Sequence, residues 1–260
     1  MDFRNRTCVV TGSAGGMGKA LGLRYSALGA NVALLDRNLP ALRQVQSAIE
    51  TGGGRAQAIE VDLASSREID RAMREVEDHF GAVHVLANCA GISDSTLMLD
   101  LGEEVWDRVM NINLKAVFLL SQKAAENMIR HRVKNGKIVS ISSQAAKIGE
   151  YGGSVYDASK AGVNMLTQVF AQELAQHGIS VTAVCPGFVN TEMIRGFFER
   201  AAKLENLSTE DFKGRLLAQV PIGRLAEPEE VAELMAFLTS DAGSYITGES
   251  INITGGKTNV

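Results

Sequence analysis

Tyr156 and Lys160 stand one helical turn apart in the segment Tyr156-Asp157-Ala158-Ser159-Lys160. Residues at positions i and i+4 share a helix face, so we expect the phenol and the ammonium to meet. A free phenol has a pKa of about 10, and a nearby cation favours the phenolate. The pair therefore predicts a tyrosine that transfers protons near neutral pH. The pair alone is weak evidence for catalysis, because such pairs are also common on ordinary helix surfaces.

Ser143 follows a predicted strand, Lys137–Ser142, whose end is rich in hydroxyl groups. Ligands bind at the carboxyl ends of strands in open parallel sheets, so Ser143 is expected to hold a substrate oxygen beside Tyr156. Asn113 lies in a helical run, where an amide by itself is usually only a tolerated polar residue. Ser143 and Tyr156 together predict proton transfer to or from a bound oxygen.

A glycine-rich segment, Thr11 to Gly18, joins the first predicted strand to a helix. Gly12 permits a tight turn, Gly16 and the adjacent Met17 let the backbone approach a pyrophosphate, and Gly18 allows close helix packing. A Walker A loop is excluded, because Lys19 would require Gly at position 13 and Ser or Thr at position 20, where Ser13 and Ala20 stand. The loop predicts a dinucleotide site without a P-loop lysine.

Asp36 closes the second predicted strand, where an acid can bond the adenosine ribose hydroxyls. A carboxylate there repels a 2′-phosphate, so the sequence favours NAD over NADP. Arg37 could weaken that preference, but strand alternation predicts that its side chain points the other way. Asp62 and Leu63 follow the third strand, and their position predicts contact with the adenine ring.

Short apolar runs alternate with helical patterns along the chain, which predicts an α/β fold. The predicted strands are Thr7–Thr11, Val32–Asp36, Arg55–Asp62, Val83–Asn88, Lys137–Ser142, Ser180–Cys185 and Ser250–Ile253. The predicted helices are Met17–Leu28, Leu39–Glu50, Ser66–Phe80, Glu104–Ile129, Val155–His177 and Pro228–Thr239. We therefore expect one domain, residues 1–260, with a Rossmann-type doubly wound parallel sheet and helices on both faces. The long excursion at about 188–226 is expected to be a substrate lid.

The formal net charge of −4 gives no basic surface for nucleic acid or an anionic membrane. No apolar run approaches the ~18 residues of a membrane span, so a cytoplasmic protein is expected. Cys8, Cys89 and Cys185 are expected to be reduced and buried. The four histidines are scattered without metal-site spacing, so no catalytic metal is predicted.

Taken together, the ordered motifs resemble those of the short-chain dehydrogenase/reductase family over nearly the whole chain. They are TGxxxGxG at Thr11, Gly12, Gly16 and Gly18; NNAG as Asn88-Cys89-Ala90-Gly91; Asn113-Leu114-Lys115; the triplet Ser143, Tyr156 and Lys160; and Pro186-Gly187 followed by Thr191. Two positions depart from the family pattern: Cys89 replaces the second Asn of NNAG, and Ala116 stands where the family often has Gly. Both changes are small in volume, so altered local packing is expected rather than lost activity.

The resemblance implies a catalytic tetrad of Asn113, Ser143, Tyr156 and Lys160, in which Asn113 and Lys160 connect Tyr156 to solvent through water. It also implies cofactor contacts from Asn88, Gly91, Tyr156, Lys160, Pro186, Gly187, Val189 and Thr191, with Val189 and Thr191 at the nicotinamide carboxamide. A homotetramer is implied as well. Its interfaces would use the helices Glu104–Ile129 and Val155–His177 and the strand near Ile251–Ile253.

The sequence thus predicts an NAD-dependent oxidoreductase that transfers a hydride between nicotinamide and a secondary alcohol or ketone. Polar residues near the expected substrate mouth, among them Arg195, Glu150 and Glu205, make a sugar or polyol one candidate substrate. The alternative is a 3-oxoacyl thioester reductase, against which Asp36 counts because that chemistry usually draws on NADPH. A nucleotide-binding sensor or scaffold without activity is the non-enzymatic alternative, which the intact tetrad opposes.

Overall fold

A computed structural model of the chain describes residues 1–258 and places the strands of that part in one parallel sheet. The strands are β1 (Thr7–Thr11), β2 (Asn31–Asp36), β3 (Arg55–Glu60), β4 (Val85–Asn88), β5 (Gly136–Ile141), β6 (Ile179–Pro186) and β7 (Ser250–Ile253). Their order across the sheet is β3-β2-β1-β4-β5-β6-β7. This is the predicted doubly wound arrangement, and the prediction of the fold class is confirmed.

The helices connect these strands and cover both faces of the sheet. They are α1 (Gly16–Ala27), α2 (Leu39–Thr51), α3 (Ser66–Phe80), α4 (Glu103–Met110), α5 (Ala116–Arg130), α6 (Ser154–Leu174), α7 (Glu192–Leu204), α8 (Thr209–Leu217) and α9 (Pro228–Thr239). None of the helices in the described range is both long and apolar enough to span a bilayer.

Continuous apolar strands are explained by two hydrophobic cores, one on each face of the sheet. Val9 and Leu35 point into the core formed with α3 and α5, whereas Val10 and Leu34 point into the core formed with α1, α2 and α9. All four side chains are fully buried. Because adjacent residues of a strand face opposite sides, a strand buried on both faces must be apolar at every position.

The order of the strands reverses between β1 and β4, and this reversal creates the crevice that positions the site. β1 pairs with β2 on one side and with β4 on the other, so the loops that follow β1 and β4 diverge to opposite faces. Thr11 ends β1 and Asn88 ends β4. The segments that follow these two residues therefore border one cleft at the carboxyl edge of the sheet.

Two regions differ from the sequence prediction. The single helix expected over Glu104–Ile129 is divided into α4 and α5 by a π-helical turn, Asn111–Lys115. Residues 188–226, expected as a lid, contain two helices that the sequence analysis did not predict, α7 and α8. Phe198, Ala202 and Phe212 form a small hydrophobic cluster between these two helices. The cluster gives the segment a core of its own.

Candidate active site

Helix α6 begins two residues before Tyr156 and places Lys160 one turn further along. The Lys160 ammonium lies 5.8 Å from the centroid of the Tyr156 ring, and it donates a hydrogen bond of 2.8 Å to the carbonyl of Ile141 at the end of β5. Lys160 is almost fully buried. The two side chains do share a face, but the ammonium is held by the strand backbone.

The expectation that Lys160 lowers the pKa of Tyr156 is wrong for the protein's own residues. Burial raises the pKa of Tyr156 to about 12, and hydrogen bonding with Ser143 only partly opposes this rise. Burial also lowers the pKa of Lys160 to about 8. Loss of hydration disfavours the charged form of each side chain, and it is the largest cause of both shifts.

Ser143 follows β5 and sits beside Tyr156 with its hydroxyl fixed by the local backbone. Its Oγ accepts a hydrogen bond of 3.1 Å from the amide of Ala145, at the start of a short 3₁₀ turn. That acceptor role leaves the hydroxyl proton available for a bound oxygen. The geometry matches the expected position of Ser143 next to the phenol.

The π-helical turn explains how Asn113 reaches the site. Asn113 is fully buried, and its amide exchanges two hydrogen bonds with the backbone of Ile92, in the loop after β4. Its Nδ2 also donates to the hydroxyl of Ser159 at 3.1 Å, which ties the turn to α6. π-Helical turns occur frequently at functional sites because the extra residue redirects a side chain. Asn113 thus joins three segments that border the crevice.

A cavity of about 120 Å³ opens above Tyr156 and is called the reaction pocket below. Its lining residues come from α1, β5, α6, β6, α7 and the neighbouring loops: Met17, Ser93, Asp94, Ser95, Ile141, Ser142, Ser143, Gln144, Glu150, Tyr151, Gly152, Gly153, Tyr156, Asp157, Pro186, Gly187, Phe188, Val189, Thr191, Met193, Ile194 and Phe197. The pocket is therefore lined by Ser143 and Tyr156 together with Pro186, Gly187 and Val189.

A second cavity, of about 380 Å³, follows the glycine loop and is called the nucleotide groove. Its lining residues are Gly12, Gly15, Gly16, Met17, Gly18, Asp36, Arg37, Val61, Asp62, Leu63, Cys89, Ala90, Gly91, Ile92, Ile112, Thr191, Glu192 and Met193. Met17, Thr191 and Met193 also line the reaction pocket, so the two cavities adjoin. The groove brings together the predicted residues of the glycine loop and of the ends of β2 and β3.

The residues of the nucleotide groove fit a dinucleotide. A Cβ on Gly12 would lie 2.8 Å from the Cα of Ala90, and one on Gly18 would lie 2.3 Å from the carbonyl oxygen of Gly12. Only glycine permits this close packing of loop, helix and strand. Helix α1 starts after Gly15 without a side-chain cap, so its first-turn amides point into the groove without an intrahelical partner. These amides and the helix dipole suit a pyrophosphate.

Asp36 lies at the far end of the groove in a fixed orientation. Its carboxylate accepts hydrogen bonds from the amides of Ala14 at 3.2 Å and Asn38 at 3.0 Å. Arg37 was expected to point away, but it lines the same groove. The strand ends at Asp36, so the alternation of side chains does not extend to the next residue. A negative and a positive side chain therefore border this part of the groove together.

Gly91 and Asn88, both predicted from the NNAG motif, have different positions. Gly91 lines the groove directly above the catalytic candidates, since a Cβ there would lie 3.4 Å from both Lys160 Nζ and Asn113 Oδ1. Asn88 lies beneath the groove instead of lining it: it is buried, and its Nδ2 donates to Ser121 and Ser140. Asn88, which was expected to line the groove, is therefore not among its lining residues.

Several residues of the two cavities were missed by the sequence analysis. Ile92 and Ser93 directly follow the NCAG segment. The rule that ligands bind beyond strand ends could have found these two. Ile112 reaches the nucleotide groove through the π-helical turn, which no sequence pattern had indicated.

Comparisons with known proteins agree with this architecture. The family model described as short chain dehydrogenase matches residues 6–202. The chain is 37% identical over 256 residues to a 3-oxoacyl-[acyl-carrier-protein] reductase of Thermotoga maritima, covering 98% of this chain and 99% of that one. It is 35% identical over 262 residues to a (3R)-3-hydroxyacyl-CoA dehydrogenase of Mus musculus, covering 98% of this chain and 96% of that one.

A solved structure is similar over the full length of both chains. It is a variant of actinorhodin polyketide ketoreductase with NADPH, 33% identical to this chain. The superposition has a TM-score of 0.94 and covers 100% of each chain.

Proposed function

The chain belongs to the short-chain dehydrogenase family, whose members are oxidoreductases, and we propose that it reduces 3-oxoacyl thioesters to 3-hydroxyacyl thioesters. We propose NADH as the preferred reductant. The observation that carries the reaction type is the Ser143 hydroxyl beside the Tyr156 phenol in a pocket that adjoins the nucleotide groove. The substrate class draws support from the names of the two curated relatives.

In the proposed reaction, Ser143 and Tyr156 act on the oxygen of the substrate's 3-oxo group. Ser143 donates its hydroxyl hydrogen bond to that oxygen, since its Oγ already accepts from the Ala145 amide. Bound nicotinamide supplies the hydride to the carbonyl carbon. As negative charge develops on the oxygen, Tyr156 gives it the phenolic proton, and the product is a secondary alcohol. Lys160, held by Ile141, places its ammonium below the phenolate that remains.

The raised pKa of Tyr156 sets the protonation state of the resting site. A phenol whose pKa burial raises to about 12 carries its proton throughout the neutral range, so it can donate that proton during reduction. Oxidation of an alcohol would first require loss of that proton.

Three of the polar residues that pointed to a sugar or polyol have partners within the protein. Glu150 accepts a hydrogen bond of 2.9 Å from Nε2 of Gln144 and lies 3.7 Å from the ammonium of Lys257. Lys147 donates to the carbonyl of Ser250 at 2.9 Å. A hydrogen-bonding group that already has a partner gains little from a substrate hydroxyl, whereas the buried Oε1 of Gln144 has no partner in the described part of the chain. We prefer the thioester to the sugar or polyol because the two curated relatives are named for acyl thioester substrates.

The preference for NADH is supported by Asp36, whose fixed carboxylate would oppose a 2′-phosphate. Arg37 borders the same groove and would reduce the discrimination. The related ketoreductase structure holds NADPH. The expected preference is consequently partial, with both cofactors used and NADH used better.

A homotetramer also belongs to this proposal. Trp106 on α4, Phe118 on α5 and Met165 on α6 are 39%, 39% and 58% exposed, respectively. Large apolar side chains at the surface of neighbouring helices support burial between subunits. Sedimentation-velocity analysis would give a tetramer mass if this part of the proposal is correct.

The proposed function is tested with acetoacetyl-CoA and either reduced cofactor, followed by loss of absorbance at the nicotinamide band. We expect turnover with NADH to exceed turnover with NADPH. Polyols, sugars and hydroxy acids with NAD form the comparison panel. Turnover within that panel but not of the thioester would contradict the proposal. Cofactor binding without turnover of any compound would indicate a sensor.

A further inference from the structure

A third cavity, of about 610 Å³, lies between the lid helices and the loop before α6 and is called the lid cavity. Ser95, Glu150, Tyr151, Gly152, Phe188 and Phe197 line both this cavity and the reaction pocket. The two spaces therefore share a wall, and the side chains of Phe188 and Phe197 stand where they meet. A substrate held at Tyr156 therefore lies next to the lid cavity.

The lining of the lid cavity beyond this shared wall is mainly apolar. Leu97 and Ile148 come from the two loops on one side, and Ala201, Phe212 and Leu216 come from α7 and α8 on the other. Phe197 and Phe212 pack edge to face, with their ring centroids 6.1 Å apart. Aliphatic and aromatic carbon therefore forms most of this part of the lining.

The charged residues of the lid cavity are paired with one another. Lys257 lies 3.7 Å from Glu150 and 4.2 Å from the centroid of the Phe188 ring, with only 12% of its side chain exposed. Arg215 and Glu205 form an ion pair of 2.6 Å. The charges in each pair cancel, so neither pair attracts a phosphate or a carboxylate strongly. An uncharged chain fits this lining better than an ionic group.

We propose that the lid cavity binds the acyl chain of the substrate and makes the enzyme selective for 3-oxoacyl groups longer than four carbons. This inference rests on the proposed function, because it assigns a tail to the thioester held at Ser143 and Tyr156. The volume of the cavity, its apolar lining and its shared wall with the reaction pocket carry the assignment. Each methylene buried there raises kcat/KM by up to about fourfold, equivalent to about 0.8 kcal/mol.

The test compares 3-oxoacyl thioesters of four, six, eight and ten carbons, each carried on coenzyme A and on N-acetylcysteamine. For the wild-type protein we expect kcat/KM to rise with chain length on both carriers. Ala201→Phe fills the lid cavity from α7, and Ala201 does not line the reaction pocket. The variant should turn over the four-carbon substrates within a few fold of the wild-type rate. Its kcat/KM should no longer rise with chain length.

Ala201→Ser is the matched control, since it leaves the cavity open and should keep the wild-type profile. Melting temperature and NADH binding report whether each variant is folded, and the smaller Ala201→Leu replaces Ala201→Phe if the latter does not fold. A flat chain-length profile in the wild-type protein, or equal slowing of all chain lengths by Ala201→Phe, would overturn the inference.

The comparison of the coenzyme A and N-acetylcysteamine thioesters shows whether the lid cavity holds the acyl chain or the pantetheine arm. If Ala201→Phe slowed the coenzyme A thioesters but not the N-acetylcysteamine thioesters of equal length, the cavity would hold pantetheine and the inference would be wrong. If the wild-type protein turned over no thioester at all, the proposed function itself would fail. Turnover without chain-length selectivity would overturn the inference alone.

Discussion

The side chain of Asn113 and the backbone of Ile92 exchange two hydrogen bonds, each 2.9 Å long. The amide oxygen accepts from the N–H of Ile92, and the amide nitrogen donates to its carbonyl. This pairing resembles a short rung of a β-ladder, and it fixes the loop after β4 against the π-helical turn. Because Ile92 lines the nucleotide groove, the pair links the helix interior to the cofactor-binding surface.

Replacement of Asn113 by Ala should destabilise the protein and lower turnover. It removes two hydrogen bonds to the backbone of Ile92 and one to the hydroxyl of Ser159, which keeps its bond to the carbonyl of Tyr156, and each lost hydrogen bond costs about 0.5–1.5 kcal/mol. A fall in melting temperature of several degrees is expected, since about 1 kcal/mol corresponds to ~2–4 °C for a chain of this size. Asn113→Asp, which keeps the acceptor, should show an intermediate loss. An unchanged melting temperature in both variants would contradict this account.

Replacement of Tyr156 by Phe should abolish turnover while leaving the nucleotide groove intact. The phenolic oxygen lies in the reaction pocket, and its loss removes the proton donor, for which a reduction in kcat of about 10²–10⁴-fold is expected. NADH affinity, measured by fluorescence titration, should stay within a few fold. Tyr151→Phe serves as control because Tyr151 is 86% exposed at the pocket rim. Full activity of the Tyr156→Phe protein would refute the assignment.

Replacement of Asp36 by Ser should shift the cofactor preference towards NADPH. Removal of the carboxylate ends its repulsion of a 2′-phosphate, whereas Arg37 remains beside the groove. The ratio of kcat/KM for NADPH to that for NADH is expected to rise at least about tenfold, or ~1.4 kcal/mol. Arg37→Ala should move the ratio the opposite way. Steady-state kinetics with both cofactors measure the two effects, and equal ratios in wild-type and Asp36→Ser proteins would exclude a discriminating role for Asp36.

The two directions of the reaction should respond differently to pH. Burial raises the pKa of Tyr156 to about 12, so the proton-donating form dominates from pH 6 to 9. The titration of Tyr156 should therefore leave the rate of reduction nearly constant over this range. Oxidation of the 3-hydroxyacyl product requires the phenolate, whose fraction rises about tenfold per pH unit below its pKa. Initial rates in both directions, with circular dichroism to confirm folding at each pH, provide the measurement. An oxidation rate that does not rise with pH would show that Tyr156 is not the proton carrier.

Much of the fold was predictable because its determinants are local. Val9 and Val10 belong to one uninterrupted apolar run, and they enter opposite cores as a two-sided strand requires. The limits of β1, β7, α3 and α9 in the structure are those expected from the sequence. The glycine loop was predictable for the same reason, since Gly12 and Gly18 mark places where no Cβ fits.

Features that depend on the tertiary environment were not predictable from residue spacing. The spacing of Tyr156 and Lys160 indicates that they share a helix face, but it does not show that burial raises the pKa of the phenol. The π-helical turn around Asn113 has no sequence pattern distinct from that of an α-helix. Asn88 matched a motif, yet its neighbours Ser121 and Ser140, which determine its orientation, lie far away in the chain.

The aromatic cluster between α7 and α8 makes residues 188–226 a module with its own interior. Phe198 and Phe212 pack on each other, with ring centroids 6.4 Å apart, in a cluster separate from the two cores of the sheet. Mutations that reshape this module should therefore leave the stability of the sheet and its proton-transfer residues nearly untouched. Such separation lets evolution, or a protein engineer, exchange one substrate range for another while the hydride chemistry is inherited unchanged.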